Sequence, residues 1–319
     1  MKPHPRIALV GARRVRQGLG PFVARQLLAA GAEPVACLGT SRASAQEAAQ
    51  AIGRDCGIEL LGTADWAEMI ERSAPDALAI LCPPEAHGAY LERALQAGLH
   101  TLAEKPLLWS ADPDADARAA SDWVRRYRER GLLLVENCQW PEVLGGISAM
   151  EPKLVPAARS FAMGLEPAVP GERMLGDALP HPLSLLERLA PGPASPAEIR
   201  CRWGPGLRAL DLDFRWTGRD RSLEAHIELR CSQETPRKAW IQLDELRFDR
   251  LVRASDYALF LNCEDRTQRL DDPLERHLAR FVETLRGVLD GAAPPDPAPI
   301  AARAHALTSL RRAAHTSLP

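Results

Sequence analysis

Between residues 6 and 135, short apolar runs alternate with stretches whose apolar residues recur at helical spacing, and no other feature limits the fold as much. Arg6 to Val10 (RIALV) reads as a strand that ends at Gly11, and residues 20–30 read as an amphipathic helix stopped by Gly31. The same signals place strands at 34–38, 59–61, 77–81, 100–103 and 132–135. Helices fall between them at 44–52, 65–72, 87–97 and 114–129. Strands that each feed a helix must run parallel, with helices on both faces of the sheet. A doubly wound α/β domain over residues 1–136 is therefore expected.

After about residue 137 the period changes. Alternating strands dominate from 198 to 263; in Ser222 to Arg230, Glu224, His226 and Glu228 share one face while Ala225, Ile227 and Leu229 share the other. Such a pattern implies a large, mostly antiparallel sheet with one wet face, in an α+β domain over 137–319. A helix at 272–286, a Pro- and Ala-rich connector at 291–299 and a last helix at 301–316 complete the reading.

Composition narrows the function. A length of 319 residues suits two domains, and a net charge of -2, from 40 Lys plus Arg against 42 Asp plus Glu, offers no field for nucleic acid. Lysine occurs only at Lys2, Lys105, Lys153 and Lys238. Because arginine keeps its proton, amine proton transfer would fall on those positions. The 7 cysteines are scattered, never as CxxC, and with the histidines they form no metal-ligand spacing. Reduced thiols and no metal are expected. The start MKPHPRIALVGA lacks the apolar core of a signal peptide, and no apolar run is long enough to span a membrane, so a cytoplasmic protein without membrane contact is expected.

A dinucleotide site needs a glycine-rich turn between the first strand and helix, where backbone amides meet the pyrophosphate. Here the turn reads Gly11-Ala12-Arg13-Arg14-Val15-Arg16, which keeps only the first glycine of the usual set. Arg13 stands where close backbone approach wants glycine, and Arg16 stands where tight helix packing wants it. Two readings stay open. The guanidiniums of Arg13 and Arg14 pair with phosphate oxygens beside Gly11 and Ala12, or the loop has lost its nucleotide. The second strand runs into Leu38-Gly39-Thr40-Ser41-Arg42, with no acid to grip ribose hydroxyls. Ser41 and Arg42 would suit an adenosine 2'-phosphate, which favours NADP over NAD. The simpler alternative makes Ser41 a helix cap and Arg42 a solvated cation.

Asp76 to Leu107 reads DALAILCPPEAHGAYLERALQAGLHTLAEKPL. With its Pro83-Pro84 strand end, His87 and Glu104-Lys105-Pro106, it resembles the glucose-fructose oxidoreductase, inositol dehydrogenase and rhizopine-catabolism family, Gfo/Idh/MocA. Glu136-Asn137-Cys138-Gln139-Trp140-Pro141, Gly176-Asp177 with His181, and the closing run Arg311 to Ser317 extend the likeness over nearly the whole chain. The resemblance implies an N-terminal Rossmann domain holding NADP or NAD, contacted by Cys82, Pro83, His87, Glu104 and Lys105. It implies a second domain for substrate and oligomerisation, and a last helix packed back on the first domain. Lys105 and His181 would be catalytic with Asp177 in support, and a cis peptide bond would precede Pro106. Asn137, Gln139, Trp140 and His181 would line the substrate pocket. The implied reaction moves a hydride between nicotinamide and a carbonyl, hydroxyl or imine carbon of a small sugar-like or biosynthetic substrate, in a homo-oligomer, dimer or tetramer, built on the C-terminal sheet. Ser184, where the family often has Asp or Asn, departs from the polyol-binding pattern. A non-catalytic ligand-binding or regulatory relative, and a thiazoline-type imine reductase, remain the rival readings.

Overall fold

The computed structural model describes residues 4–13, 18–192, 195–253 and 255–318. It divides into two compact units. The first takes Met1–Trp109, Ala119–Asn137 and Leu274–Ile300, and the second takes Ser110–Arg118, Cys138–Pro273 and Ala301–Pro319. No helix among the described residues is long and apolar enough to cross a membrane.

In chain order the first unit brings β1 (Arg6–Val10), α1 (Gly20–Ala29), β2 (Glu33–Leu38), α2 (Arg42–Cys56), β3 (Leu61–Thr63) and α3 (Trp66–Ser73). There follow β4 (Ala77–Ile80), α4 (His87–Gln96), β5 (His100–Ala103), α5 (Pro113–Glu129), whose first turns group with the second unit, and β6 (Leu134–Glu136). The sheet has the order β3-β2-β1-β4-β5-β6 and every pair is parallel. Ile7, Leu9, Ala77, Ala79 and Leu102 are fully buried between Val23 and Leu27 of α1 and a late helix, Pro273–Leu289, that supplies Leu278, Phe281, Val282 and Leu285. One strand is displaced from its expected place: β3 lies at 61–63 rather than 59–61. Helix α2 runs past Ile52 to Cys56, because only at Gly57 does a left-handed residue (φ +68°) stop it.

The second unit holds α6 (Val143–Met150), α7 (Leu154–Ala157), β7 (Ser160–Leu165), α8 (Arg173–Ala178), α9 (Pro180–Leu189), β8 (Ser195–Trp203), β9 (Ala209–Thr217) and β10 (Ser222–Arg230). Strands β11 (Ala239–Leu243), β12 (Leu246–Val252), β13 (Leu259–Cys263) and β14 (Arg266–Leu270) precede α10 (Pro273–Leu289) and α11 (Ala298–Thr316). The eight strands are ordered β14-β13-β12-β11-β7-β10-β9-β8, antiparallel except where β7 lies beside β10. Strand β7 was not expected from the sequence, although Phe161, Met163 and Leu165 alternate on its buried face. The outer face carries ion pairs between strands: Arg215 with Glu198 (2.6 Å) and Glu224 (2.9 Å), Arg230 with Asp211 (2.6 Å) and His226 with Asp213 (2.7 Å).

The units do not follow a single cut at 136/137. Helix α10 packs into the core of the first unit, while most of α11 groups with the second. Residues 110–118 group there too, because α11 holds them: Arg311 lies 3.0 Å from Asp116 and donates to the Ser110 carbonyl at 2.8 Å, and the Thr308 hydroxyl donates to the Pro113 carbonyl at 2.7 Å. The last helix therefore reaches back to residues of the first 136, and those residues are part of the second unit.

Candidate active site

The first and fourth strands lie side by side where the strand order reverses, the place at which open parallel sheets bind ligands. Gly11, at the end of β1, has φ +73°, and a Cβ there would sit 2.7 Å from Cys82 Cα, just past β4. Only glycine allows both the conformation and the approach. The second close approach is made by Gly20 rather than at the positions of Arg13 or Arg16. A Cβ on Gly20 would lie 2.0 Å from the carbonyl oxygen of Ala12, so the first residue of α1 is seated on the turn itself. That helix has no side-chain cap and no acid in its first turn, which leaves its positive end to an anion. Arg13 points to α2, where its Nε lies 3.1 Å from Glu47; it is not held out over the turn. Arg14, Val15 and Arg16 lie outside the described residues.

At the end of β2, Ser41 caps α2: its hydroxyl accepts from the Ser44 amide, and the Ser44 hydroxyl accepts from the Ser41 amide. The cap reading of Ser41 is thus realised. Arg42 is well exposed, 3.9 Å from Glu68, and it borders a hollow of about 800 Å³ lined also by Thr63, Asp65, Trp66 and Arg93. Glu68 is engaged: the Thr63 hydroxyl, then Arg72, hold its carboxyl below the usual carboxylate range.

Past β4 and β5 the unit builds a polar corner. His87 is fully buried, with Nε2 2.8 Å from the Cys82 carbonyl and Nδ1 3.0 Å from the Leu107 carbonyl. The two ring nitrogens face carbonyls from two segments, so the ring braces the corner between them. Burial pulls its pKa below that of an ordinary histidine and pushes the Cys82 thiol up to about 11. The Lys105–Pro106 bond is cis, as the resemblance implies. The next amide, Leu107, donates to Glu136 at 2.8 Å, and the Asn137 amide donates to Glu104. Burial pushes the Glu104 carboxyl above the usual range, against the opposing pull of the Lys105 ammonium and the Asn137 amide. Lys105 itself is half-buried on this braced segment, and the oxygen of the same Asn137 side-chain amide, Oδ1, is buried without a partner. Glu136 was named in the sequence only as part of a motif; its burial is what makes it the anchor of Leu107.

In the second unit, Asp177 lies in the last turn of α8, and His181 is the second residue of α9, which begins at Pro180. Leu179, between the two helices, keeps helical dihedrals (φ -64°, ψ -30°), so Pro180 removes its own amide hydrogen bond without turning the chain out of the helical path. The His181 ring packs 6.0 Å from the Trp140 ring, and the Asp177 carboxylate lies 3.8 Å from the Arg237 guanidinium. Ser184 turns its hydroxyl back to the His181 carbonyl at 2.7 Å. Gln139 has a buried Oε1 without a partner. Two residues escaped the sequence reading: Arg237 and Arg250, the latter 5.4 Å over the Trp140 ring. A signal was available, because Arg250 shares its strand face with the fully buried Phe248. Elsewhere, Asp211, His226 and Glu228 bring ligand atoms within 4.8 Å of one another, but arginines hold Asp211 and Asp213 holds His226.

A six-stranded parallel sheet of this order, with a glycine turn at its switch point, defines the first unit as a Rossmann domain of the dinucleotide-binding class. Residues 5–137 match the model of the Gfo/Idh/MocA family, described as an oxidoreductase family with an NAD-binding Rossmann fold. A dTDP-3,4-didehydro-2,6-dideoxy-alpha-D-glucose 3-reductase of Streptomyces violaceoruber is 39% identical over 105 residues, which is 33% of this chain and 27% of that relative. The chain thus matches about a quarter of that relative's length. An inositol dehydrogenase homolog from Azotobacter vinelandii, solved with NADH and myo-inositol, superposes with a TM-score of 0.70 at 15% identity, over 99% of this chain and 97% of its own. A 3-ketoreductase from Actinomadura kijaniata, solved with TDP-benzene and NADP, gives a TM-score of 0.67 at 21% identity over 97% of both chains. At these identities the likeness to the solved proteins is one of fold.

Proposed function

We propose that the protein is an NAD(P)-dependent oxidoreductase acting on a carbonyl or hydroxyl carbon of a small sugar-like substrate. The observation that carries this reading is the corner at Glu104-Lys105-Pro106, where His87, Glu136 and Asn137 hold a half-buried lysine on a fixed backbone. The dinucleotide fits the residues present: Gly11 and Gly20 let the turn pack against Cys82 and Ala12 where a side chain would clash, and α1 offers an uncapped end. Gly11, Ala12, the start of α1, Ser41, Arg42, Cys82, Pro83, Glu104 and Lys105 would hold it, and when bound it supplies the hydride-transfer chemistry. For the adenosine end we favour NADP, because β2 ends without an acid and Arg42 is exposed beside an open hollow.

The chain's own contribution is charge and proton placement. An ammonium at Lys105 stabilises negative charge growing on a substrate oxygen and passes on a proton. Glu104 and Asn137 keep the segment that presents it in place. His181 is the second proton carrier, oriented by its contact with Trp140, and Asp177 supports it from the preceding helix. Gln139 and Trp140 belong to the substrate side. The homo-oligomer, with the outer face of the C-terminal sheet as its contact, is part of the same proposal.

The test is a fluorescence titration with NADPH and NADH, followed by turnover of candidate sugars by wild type, Lys105→Met and His181→Ala. NADPH is expected to bind more tightly than NADH, and each variant to lose about 100-fold or more in kcat while keeping the cofactor. Absence of binding by either nucleotide at millimolar concentration would replace this reading with the non-catalytic one.

A further inference from the structure

Arg250 projects from β12 on the side of Phe248, into the interior of the second unit. Its Nη2 donates to the Arg237 carbonyl at 2.7 Å, its guanidinium lies over the Trp140 ring, and its Nε is buried with no partner. Among the described residues no carboxylate lies within ion-pair distance of it. The neighbouring cation, Arg237, faces Asp177 at 3.8 Å. Burial, and then the charge of Arg237, pull the Arg250 guanidinium below arginine's ordinary pKa. A largely buried guanidinium without a counter-ion is costly, and contact with an aromatic face offsets only part of that cost. A cation of this kind is retained where a ligand brings the negative charge, and the planar fork of arginine matches carboxylate and phosphate alike.

The surroundings point the same way. Gln139, next in sequence to Trp140, holds a buried acceptor that has no donor and would take a hydroxyl. Trp140 links the two halves of the arrangement, with His181 6.0 Å from its ring and Arg250 5.4 Å over it.

We propose that Arg250, with Arg237, forms an anion subsite beside Trp140 and His181, so that the substrate of this protein carries a carboxylate or phosphate group in addition to its reacting carbon. The proposal rests on the reading of the second unit as the substrate-binding one, and it names the charge class that reading leaves open. Arg250 supplies its free Nε–H to the anion, Arg237 supplies the second guanidinium, and Gln139 takes a neighbouring hydroxyl.

The full chain, wild type, Arg250→Met, Arg250→Lys and Arg237→Gln, would be titrated with inorganic phosphate and with acetate against chloride at equal ionic strength. Thermal stabilisation and calorimetry give the half-saturating concentration, and each titration is repeated with NADPH present. Wild type is expected to respond to one of the two anions. Arg250→Met should raise the half-saturating concentration about tenfold or more, and Arg250→Lys by about threefold. A preference for phosphate identifies a phosphorylated substrate, and a preference for acetate a carboxylic one. No response in wild type, or the same half-saturation in Arg250→Met, overturns the proposal. Should Arg250→Met fail to fold, an unchanged response in both Arg250→Lys and Arg237→Gln overturns it equally. Loss of NADPH binding with the Arg250-dependent response kept would sink the oxidoreductase reading and leave the subsite standing. NADPH binding without that response does the reverse.

Discussion

The two sheets solve burial in opposite ways. In the first, β1 and β4 are covered on both faces, so Ile7, Leu9, Ala77 and Ala79 are all fully buried and no strand position there is free to carry chemistry. Function is pushed to the strand ends, where Gly11, Cys82 and the Glu104–Leu107 corner lie, and backbone geometry governs it. In the second sheet each strand has a wet face and a dry one. The wet face holds paired charges, and a polar side chain on the dry face, such as Arg250, stands out as a candidate for binding. Charge in this protein thus means little on the outer face and a great deal inside.

The largest break in that contrast is expected where an ion pair leaves the surface. Arg311 is 3% exposed and is held by Asp116 and Glu172. Arg311→Met leaves those carboxylates behind and should cost about 3–5 kcal/mol, read from urea denaturation. Next comes Gly11→Val, which combines a forbidden φ with a clash against Cys82 backbone and should cost about 2–4 kcal/mol, with NADPH binding lost in the same protein. Gly164→Ala tests the second sheet by the same measure. An added Cβ would meet the Trp240 indole at 2.0 Å, unseating it from β7 and from the Arg247 stack, at about 1–3 kcal/mol.

A smaller effect is a slope in pH. Because burial raises the Glu104 pKa in the folded state, the native chain keeps a proton that the unfolded chain has released, and stability falls as pH climbs from the ordinary glutamate range to the raised value. Glu104→Gln should flatten that fall in melting temperatures taken from pH 4 to 7, and an unaltered slope would show that Glu104 ionises as freely as in the unfolded chain. Smallest of all, Arg125→Ala should leave the melting temperature within error of wild type, because it and its partners Asp122 and Glu129 lie on the exposed side of α5.

Local signals made much of this legible. The bounds of β1 and β5 are those their apolar runs predict, and the motif around Lys105 announced the corner before any coordinates. Less was visible where a residue's meaning depends on a distant neighbour. The pairing of Arg13 with Glu47 of α2 is not visible in the turn itself. The bracing role of His87 shows only when its nitrogens are found against carbonyls five residues back and 20 residues on. The role of Gly20 appears only when its Cα is found against Ala12.

Periodicity and turn residues alone determined an α/β unit followed by an α+β unit and the parallel and antiparallel characters of their sheets, since each depends on neighbours within a few positions along the chain; the family likeness came from the motifs of residues 76–107. Tertiary structure decided which charges are buried, which glycines bear a close approach, and which unit takes α10 and α11. Those outcomes depend on contacts between segments far apart in sequence, and the free energy of a buried charge is set by whatever the fold brings next to it.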